Sequence, residues 1–154
     1  MTELIVADDE KNIRAGLLKI LSESFPGQLR IREAKNGEEA LALAQDCPAD
    51  IVITDIRMPK LDGVALMRAL SAFANPPSII VLSGYDDFSY AREAIRSGAR
   101  AYILKPVDRN ELVARSKTQV RRKRYADRLR DNVQQSMEMA IIDPLTKQIG
   151  RAHV

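Results

Sequence analysis

Apolar residues along this chain come in short runs separated by amphipathic segments. LIVA (4–7), IVIT (51–54) and SIIVLS (78–83) are almost entirely Ile, Val and Leu, the composition of parallel strands covered on both faces. LRIREA (29–34) alternates more, which suits an edge strand, and AYILK (101–105) reads as a fifth strand. Between them, segments at roughly 12–24, 37–46, 63–73 and 87–97 have helical spacing, and a fifth helix starts near 109. The punctuation agrees. Asn36-Gly-Glu-Glu39 and Asp108-Arg-Asn-Glu111 fit capping boxes, with an acceptor side chain at the cap and Glu three residues on. Gly98 follows a helical segment where a left-handed residue is wanted, and Pro76-Pro77 stops the preceding helix. Strand–helix alternation of this kind predicts right-handed βαβ crossovers and a doubly wound, three-layer sheet. After Asp108 no further strand is predicted. A helical pattern runs from Glu111 to about Ile142, where Asp143-Pro144 is expected to break it.

Composition narrows the class. The chain has 154 residues, 45% hydrophobic and 29% charged, which is globular and leaves room for one domain and a short extension. It has no apolar run long enough to span a membrane, and its acidic N-terminal stretch MTELIVADDE has no signal-peptide character. One cysteine, Cys47, excludes an internal disulfide and a cysteine zinc cage, so a reduced, cytoplasmic protein is expected. The net charge of +3 is unevenly spread. Residues 1–108 carry 13 Lys/Arg against 16 Asp/Glu, and residues 109–154 carry 11 against 5. An acidic body followed by a basic tail predicts two parts: a domain over 1–120 and a helical linker or stub over 121–154.

In an open α/β sheet, ligands bind outside the carboxyl ends of the strands. Those ends carry Asp8 and Asp9 (strand 1), Asp55 (strand 3), Ser83 (strand 4) and Lys105 followed by Pro106 (strand 5). Three carboxylates brought into one crevice stay ionised only if a cation neutralises them. Hard oxygen ligands with room for phosphate oxygens select Mg²⁺. A lysine opposite them supplies a fixed positive charge, and a serine hydroxyl donates to an anionic oxygen. Together these parts describe a site for a phosphoryl group on a carboxylate. Asp55 is the nucleophile, Mg²⁺ and Lys105 stabilise the equatorial oxygens, and Ser83 hydrogen-bonds the acyl phosphate.

Over about residues 3–115 the chain resembles receiver domains of two-component response regulators. The resemblance rests on ADDE (7–10), DIRMPKLDG (55–63), LSGYDDFSYAREAIRSGA (82–99) and YILKPV (102–107), in that order and spacing. It implies a flavodoxin-like five-stranded parallel sheet of order 2-1-3-4-5 with an extended C-terminal helix. It implies Asp55 as phosphoacceptor, Mg²⁺ held by Asp8, Asp9, Asp55 and the backbone carbonyl of Arg57, and phosphate contacts from Ser83 and Lys105. It further implies a cis Lys105–Pro106 bond and a Ser83/Tyr102 switch pair that repacks the face of helix 4, strand 5 and helix 5. The donor would be a sensor histidine kinase, and a homodimer through that face or through the C-terminal helix is a further expectation. The form DIRMP…SGYDDFSYA…KPV is most similar to receivers attached to AraC-type helix-turn-helix domains. DNA would then be bound only by an output domain that this stretch of chain lacks, with no membrane partner.

Other readings stay open at this point. Phosphatases and mutases that form aspartyl phosphates use related sheets, but usually carry a second acid two residues beyond the nucleophile, where this chain has Arg57. A switch module fits better than an enzyme. Asp62 and Gly63 read as a turn and helix start, and Asp8 or Asp9 as a cap for helix 1. The cluster RRKR (121–124) with Arg128 and Arg130 reads as a solvated helix face. Ala126, Leu129, Val133, Ser136 and Ala140 follow a heptad spacing, poorly filled by Ser and Ala. Asp143-Pro-Leu-Thr146, with Arg151 beyond, resembles the start of GGDEF diguanylate cyclase domains, without their signature loop. His153, the lone histidine, is assigned no role.

Overall fold

A computed structural model describes residues 1–84 and 88–152, with side chains for residues 1–84, 89 and 92–133. Tyr85, Asp86 and Asp87 of the SGYDDFSYA stretch, and His153, lie outside the described residues. The elements run β1 (Thr2–Ala7), α1 (Lys11–Ser24), β2 (Leu29–Ala34), α2 (Gly37–Asp46), β3 (Ile51–Asp55), α3 (Gly63–Ser71), β4 (Ser78–Ser83), α4 (Phe88–Arg96), β5 (Ala101–Leu104) and α5 (Arg109–Ala152). All four strand pairings are parallel and the order is β2-β1-β3-β4-β5, the flavodoxin-like arrangement. The chain divides into a unit over Met1–Val120 and a second over Arg121–Val154.

Alternate residues of each central strand face opposite layers, so the Ile/Val/Leu runs build two cores. Ile5, Ala7, Val52, Ile79 and Val81 pack with Ala40 and Ala44 of α2, Leu66, Met67 and Leu70 of α3 and Ala94 of α4. Leu4, Val6, Ile51, Ile53, Ile80, Leu82 and Ile103 pack with Leu17 and Leu21 of α1 and Leu112 and Val120 of α5. Each fully buried Leu or Ile contributes about 1.5–3 kcal/mol, which is why the middle positions of the three central strands, 4–6, 51–53 and 79–82, are all Ile, Val or Leu.

Helix ends follow the sequence signals. Asn36 Oδ1 accepts from Glu39 N at 2.8 Å, Asp62 Oδ1 from Ala65 N at 2.8 Å and Asp108 Oδ1 from Glu111 N at 2.9 Å. Gly98 closes α4 in the left-handed region, at φ 102°. Arg32 reaches from β2 to the other end of α2, donating to the carbonyls of Leu43 (2.7 Å) and Cys47 (2.8 Å). Helix α2 is therefore fixed at both ends.

Two local expectations are corrected. Neither Asp8 nor Asp9 caps α1: Glu10 occupies the cap position without a side-chain bond, and the Asp8 carboxylate accepts from Glu10 N at 2.9 Å instead. The break at Asp143-Pro144 does not occur, and α5 continues to Ala152. Proline's fixed φ is itself helical, and its cost is a lost hydrogen bond and a crowded turn, about 3 kcal/mol, which a helix that propagates on both sides absorbs.

Candidate functional site

Four strand ends converge at one edge of the sheet. Asp8 directly follows β1, Asp55 ends β3, Ser83 ends β4 and Lys105 directly follows β5. The carboxylates of Asp8, Asp9 and Asp55 lie within 4.8 Å of one another. Lys105 Nζ donates to Asp55 Oδ2 at 2.9 Å and to Asp8 Oδ2 at 3.3 Å. Asp8 is fully buried and Asp55 nearly so, whereas Asp9 is exposed. The result is an acid pocket with a buried floor, an open rim and one cation along its side.

The electrostatics follow from that burial. Removing the Asp8 and Asp55 carboxylates from water raises the pKa of both, against the opposing pull of the Glu10 amide and Lys105 on Asp8, and of Lys105 and the Ile56 amide on Asp55. The other acids push the same way as burial: Asp55 raises Asp8 and Asp9 raises Asp55. Burial alone pulls Lys105 down, but Asp55 first and Asp8 second outweigh it, and its pKa is raised. Lys105 thus stays protonated and cannot act as a metal ligand. Asp8 and Asp55 share one ammonium, and the Asp9 carboxylate lies beside them.

A hard divalent ion fits this donor set. The acids offer oxygen atoms at a spacing one ion can bridge, no sulfur or imidazole is among them, and the exposed side leaves space for water and phosphate oxygens. Arg57 lies in the loop just beyond Asp55 and, with Asp9, Met58, Pro59 and Asp62, lines a depression of about 550 Å³ beside the carboxylates.

Ser83 is buried, but its hydroxyl donates to the Gly84 carbonyl at 3.1 Å, not to a carboxylate. Its own carbonyl accepts from Lys105 N at 2.7 Å, tying the ends of β4 and β5 together. Tyr102 is half-buried against the α2–α3–α4 core and pairs in register with Val81, two residues before Ser83, so the two side chains share a sheet face. The Lys105–Pro106 peptide bond is cis.

Three residues position the site, a role that the sequence did not assign to them. Arg14, only 14% exposed, donates to the Asp8 carbonyl at 2.6 Å and sits 3.5 Å from Glu33. Gly63 donates to the Ile56 carbonyl at 2.7 Å, and a Cβ there would lie 2.2 Å from the Asp55 carbonyl oxygen. Gly37 donates to the Leu61 carbonyl at 3.1 Å, and its Cβ would lie 2.1 Å from that oxygen. Both glycines occupy the first position of a helix, where a helical φ is required and glycine's freedom is of no use. A glycine there signals close approach, and that was the available clue.

The sequence profile of the response regulator receiver domain matches residues 4–117. YesN of Bacillus subtilis (strain 168), an uncharacterized transcriptional regulatory protein, is 37% identical over 114 residues, which make up 74% of this chain and 31% of YesN. The transcriptional regulatory protein HptR of Staphylococcus aureus (strain N315) is 40% identical over 112 residues, 73% of this chain and 44% of HptR. The chain therefore spans less than half the length of these relatives. Among solved structures, the receiver domain of AraT, a response regulator from Geobacillus stearothermophilus, superposes with a TM-score of 0.70 at 37% identity, covering 80% of this chain and 98% of that one. A response regulator receiver domain protein from Clostridium thermocellum superposes with a TM-score of 0.74 at 28% identity, covering 82% and 99%.

Proposed function

Because this chain belongs to the response regulator receiver domain family of two-component systems, we propose that Asp55 is its phosphoacceptor and that the pocket of Asp8, Asp9, Asp55 and Lys105 performs the transfer. The observation that carries this reading is the cluster of three carboxylates with Lys105 bonded to two of them.

In the proposed reaction an Asp55 oxygen attacks phosphorus, the bond from phosphorus to the donor nitrogen breaks, and the donor imidazole leaves. Mg²⁺, held by Asp8, Asp9, Asp55 and the Arg57 carbonyl, would neutralise the excess charge of the acids and of the incoming group. Lys105 holds Asp55 Oδ2 through a bond of 2.9 Å and remains charged throughout. The Ile56 amide donates to Asp55 Oδ1 at 2.8 Å, which fixes the carboxylate plane. Full burial of Asp8 and near-burial of Asp55 keep bulk water from the floor of the pocket.

The phosphodonor is proposed to be a sensor histidine kinase. An apolar groove of about 280 Å³, lined by Ile13, Gly16, Leu17, Ile20, Pro106 and Val107, opens beside Lys105 and gives such a partner a surface next to the nucleophile. Ser83 and Tyr102 are proposed as the switch. Leaving the Gly84 carbonyl for the phosphoryl group would turn the Ser83 hydroxyl toward the pocket, and Tyr102, on the same sheet face, would follow and repack the α4–β5–α5 face. The output is proposed to be transcription regulation through a DNA-binding domain elsewhere in the full protein, with residues 121–154 as linker. Among the described residues no helix is long and apolar enough to cross a membrane.

Incubation with Mg²⁺ and a small phosphodonor such as acetyl phosphate tests the reading. The protein should gain the mass of one phosphoryl group, lose it to hydroxylamine, and gain nothing with EDTA or as Asp55→Asn. Multiple turnover of free phosphate esters would favour a phosphatase instead.

A further inference from the structure

The loop between β3 and α3 carries everything that lies between Asp55 and Gly63, including Arg57. Its near end is tied within the sheet: Ile56 N donates to Asp55 Oδ1 and to the Leu82 carbonyl, at 2.8 and 3.2 Å. Its return is tied by Gly63 N to the Ile56 carbonyl at 2.7 Å. The far end, at Leu61, is tied to a different element, because Gly37 N at the start of α2 donates to the Leu61 carbonyl at 3.1 Å. A Cβ on residue 37 would meet Leu61 O at 2.1 Å and Leu61 C and Cβ at 2.8 Å. These are backbone atoms and the root of a side chain, so no rotamer change relieves the contact. Helix α2 cannot retreat to make room. Asn36 is buried and caps Glu39, and Arg32 holds the last carbonyls of the helix. The loop has to yield.

We infer that Gly37 is a positioning residue for the acid pocket: the first turn of α2 is the seat that sets the β3–α3 loop, although no atom of α2 is among the groups that would hold the ion or the phosphoryl group. The metal arm of the test below rests on the proposed function; the amide arm does not.

Gly37→Ala is compared with the wild type and with Gln45→Ala, a control at an exposed position of the same helix. In the metal-free protein, ¹H–¹⁵N spectra of Gly37→Ala are expected to show displaced amides at Ile56, Arg57 and Met58, well beyond α2. In the folded protein Mg²⁺ binding is expected to weaken about tenfold or more, the scale of a lost supporting contact, with Gln45→Ala unchanged in both. A purely structural role would lower the melting temperature and leave the affinity of the folded fraction as it was. Amide displacements that stop at Leu61, together with unchanged Mg²⁺ affinity, would overturn the inference. If the wild type itself binds no Mg²⁺, the functional reading fails, and the amide map still decides the seat. If Gly37→Ala does not fold, hydrogen exchange of the wild type decides: the Gly37 amide, in a first turn that offers it no helical partner, is expected to be strongly protected, and exchange at the random-coil rate would overturn the seat.

Discussion

Replacing Lys105 with methionine keeps the length and apolar stem of the side chain and deletes its charge. At 2.9 Å from Asp55 and 3.3 Å from Asp8, each pair has a gross Coulomb attraction on the order of 5 kcal/mol at an effective dielectric of about 20. Most of that is offset by the desolvation of the three groups. What remains on deletion is the cost of two buried carboxylates with no counter-charge, about 3–5 kcal/mol for a fully buried site. Lys105 is 22% exposed on its side chain, so solvent screening lowers the expectation to about 2–3 kcal/mol. That is a large share of the about 5–15 kcal/mol that holds a domain together. The assay is urea unfolding followed by circular dichroism, with EDTA and with millimolar Mg²⁺, at pH 5.5 and 7.5. In EDTA at pH 7.5 Lys105→Met should lose those 2–3 kcal/mol. It should recover part of the loss at pH 5.5, where the uncompensated acids take up protons, and part of it with Mg²⁺, which supplies the missing positive charge. A variant within 0.5 kcal/mol of the wild type in EDTA, a margin typical of inconsequential surface changes, would refute the claim that Lys105 is the counter-ion of these acids.

Three further outcomes follow from the same structure. Asp8→Asn removes a fully buried charge whose pKa is raised by burial. A carboxyl with a raised folded pKa costs stability as pH climbs from its unfolded value, about 3.9, through the folded one, and the cost is complete above it. The metal-free variant should therefore be more stable than the wild type at neutral pH by on the order of 1 kcal/mol, with the gain vanishing in acid, in urea titrations across pH. Gly63→Ala forces a Cβ to 2.2 Å from the Asp55 carbonyl and should cost about 2 kcal/mol or more while lowering the rate of phosphoryl uptake from acetyl phosphate. Ser116 is fully buried in α5 and its hydroxyl has no partner among the described residues, so Ser116→Ala should be neutral or stabilising by up to about 1 kcal/mol in the same melts.

The fold was legible in the sequence because its signals are local. Runs such as SIIVLS can be buried on both faces only as central parallel strands, and Asn36, Asp62 and Asp108 mark helix starts through bonds spanning three residues. Where a local signal weakened, the boundary shifted: the helix expected to end at residue 73 ends at Ser71, and proline at 144 did not end α5. The meeting of Asp8, Asp55 and Lys105 was legible from their places at strand ends, since a parallel sheet carries all those ends to one edge. Their support was not. Arg14, Gly37 and Gly63 act through backbone atoms 6, 24 and 8 residues from their own positions, on Asp8, Leu61 and Asp55, and no periodicity or motif announces which carbonyl a glycine will sit against. The Ser83 hydroxyl is another case: the sequence supplies the donor, and only the structure shows it engaged by Gly84.

The central claim is that three carboxylates and one ammonium form a pocket built for a hard divalent ion and a phosphoryl group. Anomalous diffraction from crystals grown with Mn²⁺, which takes the same all-oxygen octahedral sites as Mg²⁺, measures this directly. The account predicts one strong peak bounded by the carboxylates of Asp8, Asp9 and Asp55 and the carbonyl of Arg57, lost in an Asp8→Asn/Asp9→Asn double variant. A fully folded protein with no peak among those residues, or with its peak at another acidic cluster, would contradict it.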